Sequence, residues 1–375
     1  MTDLLLYILM AFVSIQLIYY MLFFARLAFF SPKPAAAPQE GVSVLVCAWN
    51  ERENLEELLP LLDDQDYPLF EVILLDDRSD DGSEEYIKAH ISQWKHVKYI
   101  RINERFDHIT PKKYALTVGM KQARYPVALM TDADCRPQSD QWISAMVAAM
   151  GAEKDIVLGF SPYYRFPGLL NWFIRCETFY TAVQYLSFSL AGFTYMGVGR
   201  NIGYRREVFF ANKGFYRHNR IYGGDDDIFM NEVATARNTS ICVDERAFAY
   251  SYPKTSWHDW YRQKTRHLSV SQFYRTRNKV LLALLSGAHV MIWTLALAVL
   301  GLGILFRDWH ILSMLGGIWG GRWLIQLLLL ARINNKLGRT LGWYSILPMD
   351  FALYLYYIVF GWINFTKRKP RTTWN

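Results

Sequence analysis

Val72-Ile-Leu-Leu-Asp-Asp77-Arg-Ser79-Asp-Asp81-Gly-Ser83 is an apolar run that stops at paired carboxylates and an Asp-Gly turn. A short Val/Ile/Leu run bounded by turn residues has the composition of a buried strand, and the turn after it opens a helix. The pattern recurs at Val127-Ala-Leu-Met-Thr131, which also ends in paired acids, Asp132-Ala-Asp134. Val42–Ala48 and Val97–Ile102 are further β-like runs, and helical stretches at Leu55–Leu62, Glu84–Gln93 and Lys112–Ala123 alternate with the strands. Such alternation predicts βαβ units and an α/β fold with a mostly parallel sheet covered on both faces. The ligand crevice of such a sheet lies at the C-terminal ends of its strands, where both acidic motifs fall. A single acidic turn carries little weight, because Asp and Gly also form ordinary solvated turns. Its repetition carries more. Two carboxylates one residue apart suit a hard divalent cation that keeps water and substrate phosphates in its shell.

Outward from this middle the 375-residue chain changes character. It is 52% hydrophobic with a mean hydropathy of +0.02, which excludes disorder. From Leu4 to Ala25 there is no charged residue, and Arg26 and Lys33 follow. About 20 apolar residues make ~30 Å of helix, enough to cross a bilayer. The run is too long for a cleaved signal and its leading MTD is not basic, so residues 1–30 are expected to be a transmembrane anchor with the basic flank inside. Residues 41–279 are densely charged and form the cytoplasmic domain. Residues 280–366 hold apolar runs at Leu281–Phe306, at Trp309–Ala331 (interrupted by Arg322) and at Tyr344–Phe365 (interrupted by Asp350), giving two or three spans before a basic tail, 367–375. Arg332, Lys336 and Arg339 ask to be cytoplasmic, and so do Lys367, Arg368, Lys369 and Arg371, but one spanning helix between the clusters forbids it. The last segment is therefore interfacial or re-entrant, or the tail is translocated.

The formal net charge of +7 would also suit a nucleic-acid binder, but the Lys and Arg residues sit mainly at span flanks and within motifs. Cys47, Cys135, Cys176 and Cys242 stand apart without a C-x-x-C pair, so neither a zinc ribbon nor a disulfide framework is expected.

Between Gly41 and Lys279 the chain carries, in order, A-W-N-E (48–51), D-D-R-S-D-D-G-S (76–83), P-K-K-Y-A-L (111–116), D-A-D (132–134), G-R-N-I-G-Y-R-R (199–206), G-D-D-D (224–227) and Q-K-T-R-H (263–267). This ordered set resembles the membrane-bound inverting family 2 glycosyltransferases with the GT-A (nucleotide-diphospho-sugar transferase) fold, including ceramide glucosyltransferase-like and processive synthase-like members. The resemblance implies that Glu51 and Asp77 hold the uracil and ribose of a UDP-sugar and that Lys112 approaches the donor, with Lys113 a solvated neighbour. It also implies that Asp132 and Asp134 hold Mg²⁺ or Mn²⁺, Asp134 more directly, to neutralise the departing diphosphate. Asp226 occupies the second-acid position of the family's E-D motif and is the implied catalytic base toward an acceptor hydroxyl. Asp225 and Asp227 would raise its pKa and cap the next helix, and three adjacent acids leave the assignment open by one place. Gln263, Arg266 and His267 share a helix face and resemble the Q-x-x-R-W motif at the acceptor end and diphosphate, with Arg266 pairing phosphate oxygens. His267 stands where the family has Trp, which counts against polymer acceptors. The Gly197–Gly203 run matches a glycine-rich strand beneath the sugar. Aromatic Phe166–Phe193 is either a helix on the membrane surface beside the acceptor or simple core.

The function expected from the resemblance is a metal-dependent inverting hexosyltransferase acting from a UDP-sugar on a lipid hydroxyl, in a bacterial inner membrane with its catalytic domain in the cytoplasm. A processive synthase would need a channel, for which three or four helices are few. A polyprenyl-phosphate acceptor is already ionised and leaves G-D-D-D unexplained. A non-catalytic scaffold would be expected to have lost acids, yet Asp77, Asp132, Asp134 and Asp226 are all present.

Overall fold

The computed structural model describes residues 2–32 and 40–366; Lys33 and the basic tail lie outside the described residues. The strands are β1 (Val42–Ala48), β2 (Phe70–Asp77), β3 (Val97–Ile102), β4 (Val127–Asp132), β5 (Cys135–Pro137), β6 (Ile156–Leu158), β7 (Ile202–Arg205), β8 (Thr239–Ile241) and β9 (Ala249–Ser251). Among the described residues they form a seven-stranded sheet of order β3-β2-β1-β4-β7-β6-β8 and a β5-β9 ribbon. β1 lies between β2 and β4, parallel to both, with Val44 opposite Val72 and Leu129. Burial on both faces is what the continuous Val/Ile/Leu runs require. Only β7 breaks the parallel pattern, running antiparallel to β4 and β6. Helices Arg52–Asp63, Ser83–His90 and Pro111–Gln122 follow β1, β2 and β3 as expected, so the ends of β1, β2 and β4 deliver Glu51, Asp77 and Asp132 to one edge.

Phe166–Phe193 resolves into helix Leu169–Leu190, which is core rather than a surface element. Its Phe179, Tyr180 and Phe188 pack in one cluster with Tyr20, Phe24 and Leu330 of the apolar helices, and the Phe23 and Phe188 rings stack 4.4 Å apart. This helix joins the sheet domain to the bundle.

Among the described residues, four helices are long and apolar enough to cross a membrane, over Asp3–Ala28, Thr276–Leu305, Trp309–Lys336 and Trp343–Gly361. They differ in what they pack against. Leu6, Leu9, Val13, Ile292, Val299 and Leu315 form an outer cluster from the first three helices, with no described residue of the fourth. The fourth meets the second and third at Asp350, which accepts from Trp293 and Arg322, and also packs on the sheet domain. Ser345 accepts a hydrogen bond from Trp172 Nε1 (3.1 Å), Tyr356 lies 6.1 Å from Phe173, and Phe360 lies 5.6 Å from Trp260. Arg322 and Asp350, which interrupt two of the apolar runs, are each other's partners through two hydrogen bonds of 2.8 and 2.9 Å. Charges buried among apolar helices are tolerated when they face inward and pair.

Candidate active site

Two loops at the strand ends are stitched together before any chemistry begins. Asn50 and Arg78 adopt φ of 54° and 60°, turning the loops after β1 and β2 toward each other. Asn50 N–H donates to Ser79 Oγ and Asp80 N–H donates to Asn50 Oδ1, both at 2.9 Å. Asp81 accepts from Arg52 N–H at 2.9 Å, which caps the helix after β1. The two acids of Asp76-Asp77 divide their work. Asp76 is fully buried and accepts from Tyr99, Arg101 and Ser79 N–H, so it anchors the loop. Asp77 accepts from Arg78 Nε at 2.8 Å and stands at the strand end.

Glu51 lies within the electrostatic reach of Asp132 and Asp134. Burial raises the Glu51 carboxyl and Asp134 and Asp132 add to it, against a 2.6 Å hydrogen bond from Asn54. Asp134 is likewise raised by burial and then by Asp132. Among the described residues no three His, Cys, Asp or Glu side chains form a metal cluster. The Asp132/Asp134 pair nevertheless has unbalanced negative charge and oxygen donors, which fits a cation completed by water and substrate phosphate.

Lys112 Nζ bridges Asp132 (2.8 Å) and Asp225 (3.1 Å). Burial opposes its charge, but Asp132, Asp225 and Asp226 outweigh that and hold it protonated. With Cys47, Gly199 and Tyr204 these groups line a small pocket. Asp226 is oriented by backbone, its Oδ2 accepting from Gly199 N–H (2.7 Å) and its Oδ1 from Asp227 N–H (2.8 Å). Burial, then Asp225, pushes its pKa up to about 6. Asp225, although buried, is held low by Lys112 and Lys113. Asp227 is pushed up to about 8 by burial and Asp226, against a 2.8 Å hydrogen bond donated by Tyr274. The helix cap expected from a neighbour is supplied by Asp226 itself.

Lys113 is not the solvated neighbour expected. It is fully buried and donates to the carbonyls of His218 and Ile221, both at 2.7 Å, tying down the loop that leads to G-D-D-D. Lys113→Met leaves both carbonyls short of a donor and is expected to cost about 1–3 kcal/mol. Thermal unfolding reads this directly, and an unchanged unfolding temperature would remove Lys113 from the scaffold.

Gln263, Arg266 and His267 lie on helix Trp257–Val270, whose N-terminus is capped by Ser256. His267 is exposed and does not line the pocket, although the charges of Lys264, Arg266, Arg200 and Lys112 act on its ring and favour the neutral form. Lys264 pairs with buried Glu177 at 2.5 Å. No hydrogen bond joins Gln263 to the acids among the described residues, and Arg266 is exposed. Sequence reasoning missed Arg200, which lies in the field of Asp132 and Asp134. Its only signal was its place inside a motif noted for glycines.

Residues 43–210 match the sequence model described as Glycosyl transferase family 2. This segment, somewhat under half of the chain, is similar to that family. The chain is 27% identical over 121 residues to Glycosyltransferase AglE of Haloferax volcanii, a match covering 32% of this chain and 38% of that protein. It is 32% identical over 132 residues to a dolichol-phosphate mannosyltransferase of Pyrococcus furiosus, covering 35% and 36% respectively. These matches thus span little more than a third of each relative. Mannosyltransferase PcManGT from Pyrobaculum calidifontis, solved with GDP-Man and Mn²⁺, aligns with a TM-score of 0.59 over 89% of this chain and 99% of its own, at 19% identity. That likeness is one of fold and agrees with the GT-A architecture.

Proposed function

We propose that this protein is a membrane-anchored, metal-dependent inverting transferase of the family 2 kind that moves a hexose from a nucleoside diphosphate sugar, UDP-hexose first, to a hydroxyl of a lipid acceptor. The observation that carries the reading is the convergence of Lys112, Asp132, Asp225 and Asp226 in one pocket, with Asp226 half-buried and its pKa pushed up to about 6. In this reading Glu51 and Asp77 bind the nucleoside, and Lys112 moves from its acid partners toward donor phosphate. Asp226 accepts the acceptor hydroxyl proton as that oxygen attacks the anomeric carbon opposite the leaving group. Mg²⁺ or Mn²⁺ held by Asp132 and Asp134 supplies positive charge to the departing diphosphate. Gln263, Arg266 and His267 form the acceptor side.

In this reading the first three apolar helices span and the fourth is interfacial, which is supported by the absence of described residues of the fourth from the cluster formed by the other three and by its packing on Trp172 and Trp260. Arg332, Lys336 and Arg339 then share a side with the catalytic domain, in keeping with the positive-inside rule.

A second acceptor class, a polyprenyl phosphate, is favoured by the dolichol-phosphate mannosyltransferase relative. Incubating the purified chain with UDP- and GDP-hexoses, Mn²⁺ and lipids, followed by mass spectrometry, is expected to yield one hexose added to a lipid. Chelation is expected to stop turnover and Mn²⁺ to restore it. A high-mass saccharide would defeat the single-addition reading, and chelator-resistant turnover would defeat the metal role.

A further inference from the structure

Arg200 is held between two fixed neighbours. Gly199 N–H is bonded to Asp226 Oδ2. On the other side Asn201 accepts from Trp142 Nε1 (3.0 Å) and donates to the carbonyls of Phe160 (2.8 Å) and Ala247 (2.7 Å). The guanidinium stacks on Tyr163, its Cζ 4.3 Å from the ring centroid, and a stacked planar cation keeps little freedom to turn.

This orientation leaves its donors uncommitted. Nη1 is shielded from solvent and has no hydrogen-bond partner among the described residues. Five N–H donors on an always-charged group are costly to leave unmet inside a protein. Asp132 and Asp134 lie within its electrostatic reach, and so does His267. Asp132 pairs with Lys112 instead. A guanidinium serving only to neutralise the acids would close an ion pair with them; stacking on Tyr163 holds this one aside.

We propose that Arg200 is a phosphate-binding residue, its fork receiving two oxygens of one phosphate beside the pocket lined by Asp132, Asp226 and the adjacent Gly199. The assignment rests on the reading as a nucleotide-sugar transferase. Two sources carry that chemistry there: the donor's diphosphate and the phosphate of a polyprenyl acceptor. Both offer the paired anionic oxygens that arginine recognises bidentately.

The test uses the full chain in detergent, with Arg200→Ala and Arg200→Lys. Calorimetry measures UDP and GDP binding with Mn²⁺, steady-state kinetics gives acceptor KM, and thermal unfolding verifies the fold. Arg200→Ala is expected to weaken phosphate recognition by about 10- to 100-fold, the loss of a charged hydrogen-bonded contact. Arg200→Lys should recover only part, because it keeps the charge without the fork. Weakened nucleotide binding assigns the phosphate to the donor. Unchanged nucleotide binding with raised acceptor KM assigns it to the acceptor. Nucleotide affinity and acceptor KM both at parental values, in whichever variant unfolds like the parent, would overturn the proposal. Failure of the unsubstituted protein to bind either nucleotide overturns the proposed function itself, and this assignment with it.

Discussion

Asp226→Asn is expected to lower kcat by about 10²- to 10⁴-fold, the usual contribution of a positioned general base, while leaving nucleotide affinity intact. The substitution keeps the shape but removes the basicity, and it replaces one of the two oxygens that accept from Gly199 and Asp227 N–H by an amide donor, so thermal unfolding is measured beside kcat. Asp226 is favoured over its neighbours by their surroundings. Asp225 is tied to Lys112 and held low, so it stays ionised but is a weak base. Asp227 is pushed up to about 8 and bonded to Tyr274, so it is mostly protonated at neutral pH. Asp226 at about 6 is ionised at pH 7 yet basic enough to take a proton in the transition state. The active form is the deprotonated one, so the rate is expected to fall as pH drops through about 6 and to level off above it. A pH–rate profile measures this, and full turnover by Asp226→Asn would move the base to a neighbour. The same variant separates the two acceptor classes, because a phosphate acceptor arrives already ionised. For such an acceptor the loss should be under about tenfold, well below what removal of a needed general base costs.

The parts legible in the sequence were those whose cause is local. The run at Val42–Ala48 coincides with β1, since a strand buried on both faces is nearly all apolar, and Val97–Ile102 coincides with edge strand β3, where Lys98 can face solvent. The acids at the ends of β2 and β4 reached the crevice because a parallel sheet places all such ends on one edge. The unread parts depend on distant partners. Lys112 and Lys113 are adjacent and chemically alike, but successive helix residues point in different directions, so one enters the pocket and the other the core. Antiparallel β7 and its neighbour β6 are only four and three residues long, too short for a periodicity. Arg322 and Asp350 each looked like a flaw in an apolar run because their relation spans 28 positions.

That pair underlies the largest stability effect expected. Asp350 accepts from Arg322 twice, from Gln326 at 2.8 Å, from Trp293 at 3.1 Å and from Trp323 at 3.2 Å. Gln16 Oε1 accepts from Arg322 Nε at 2.6 Å and Gln16 Nε2 donates to His289 Nδ1 at 3.2 Å, so all four apolar helices meet at this point. Both charged side chains are fully shielded. Asp350→Ala leaves Arg322 charged and uncompensated among apolar helices, and a loss of about 3–5 kcal/mol is expected, read by denaturant unfolding in bicelles. Arg322→Met/Asp350→Leu removes both charges together and should recover much of that loss, because the penalty belongs to the orphaned charge rather than to the missing attraction. Asp350→Ala as stable as the parent would exclude the pair from the scaffold. Activity carries a second message. The helix bearing Asp350 also packs Tyr356 and Phe360 on Trp260, which lies on the helix of Gln263, Arg266 and His267. A double variant restored in stability but raised in acceptor KM would therefore mean that the buried pair sets the register of the acceptor helix, whereas parental KM would confine it to holding the bundle together.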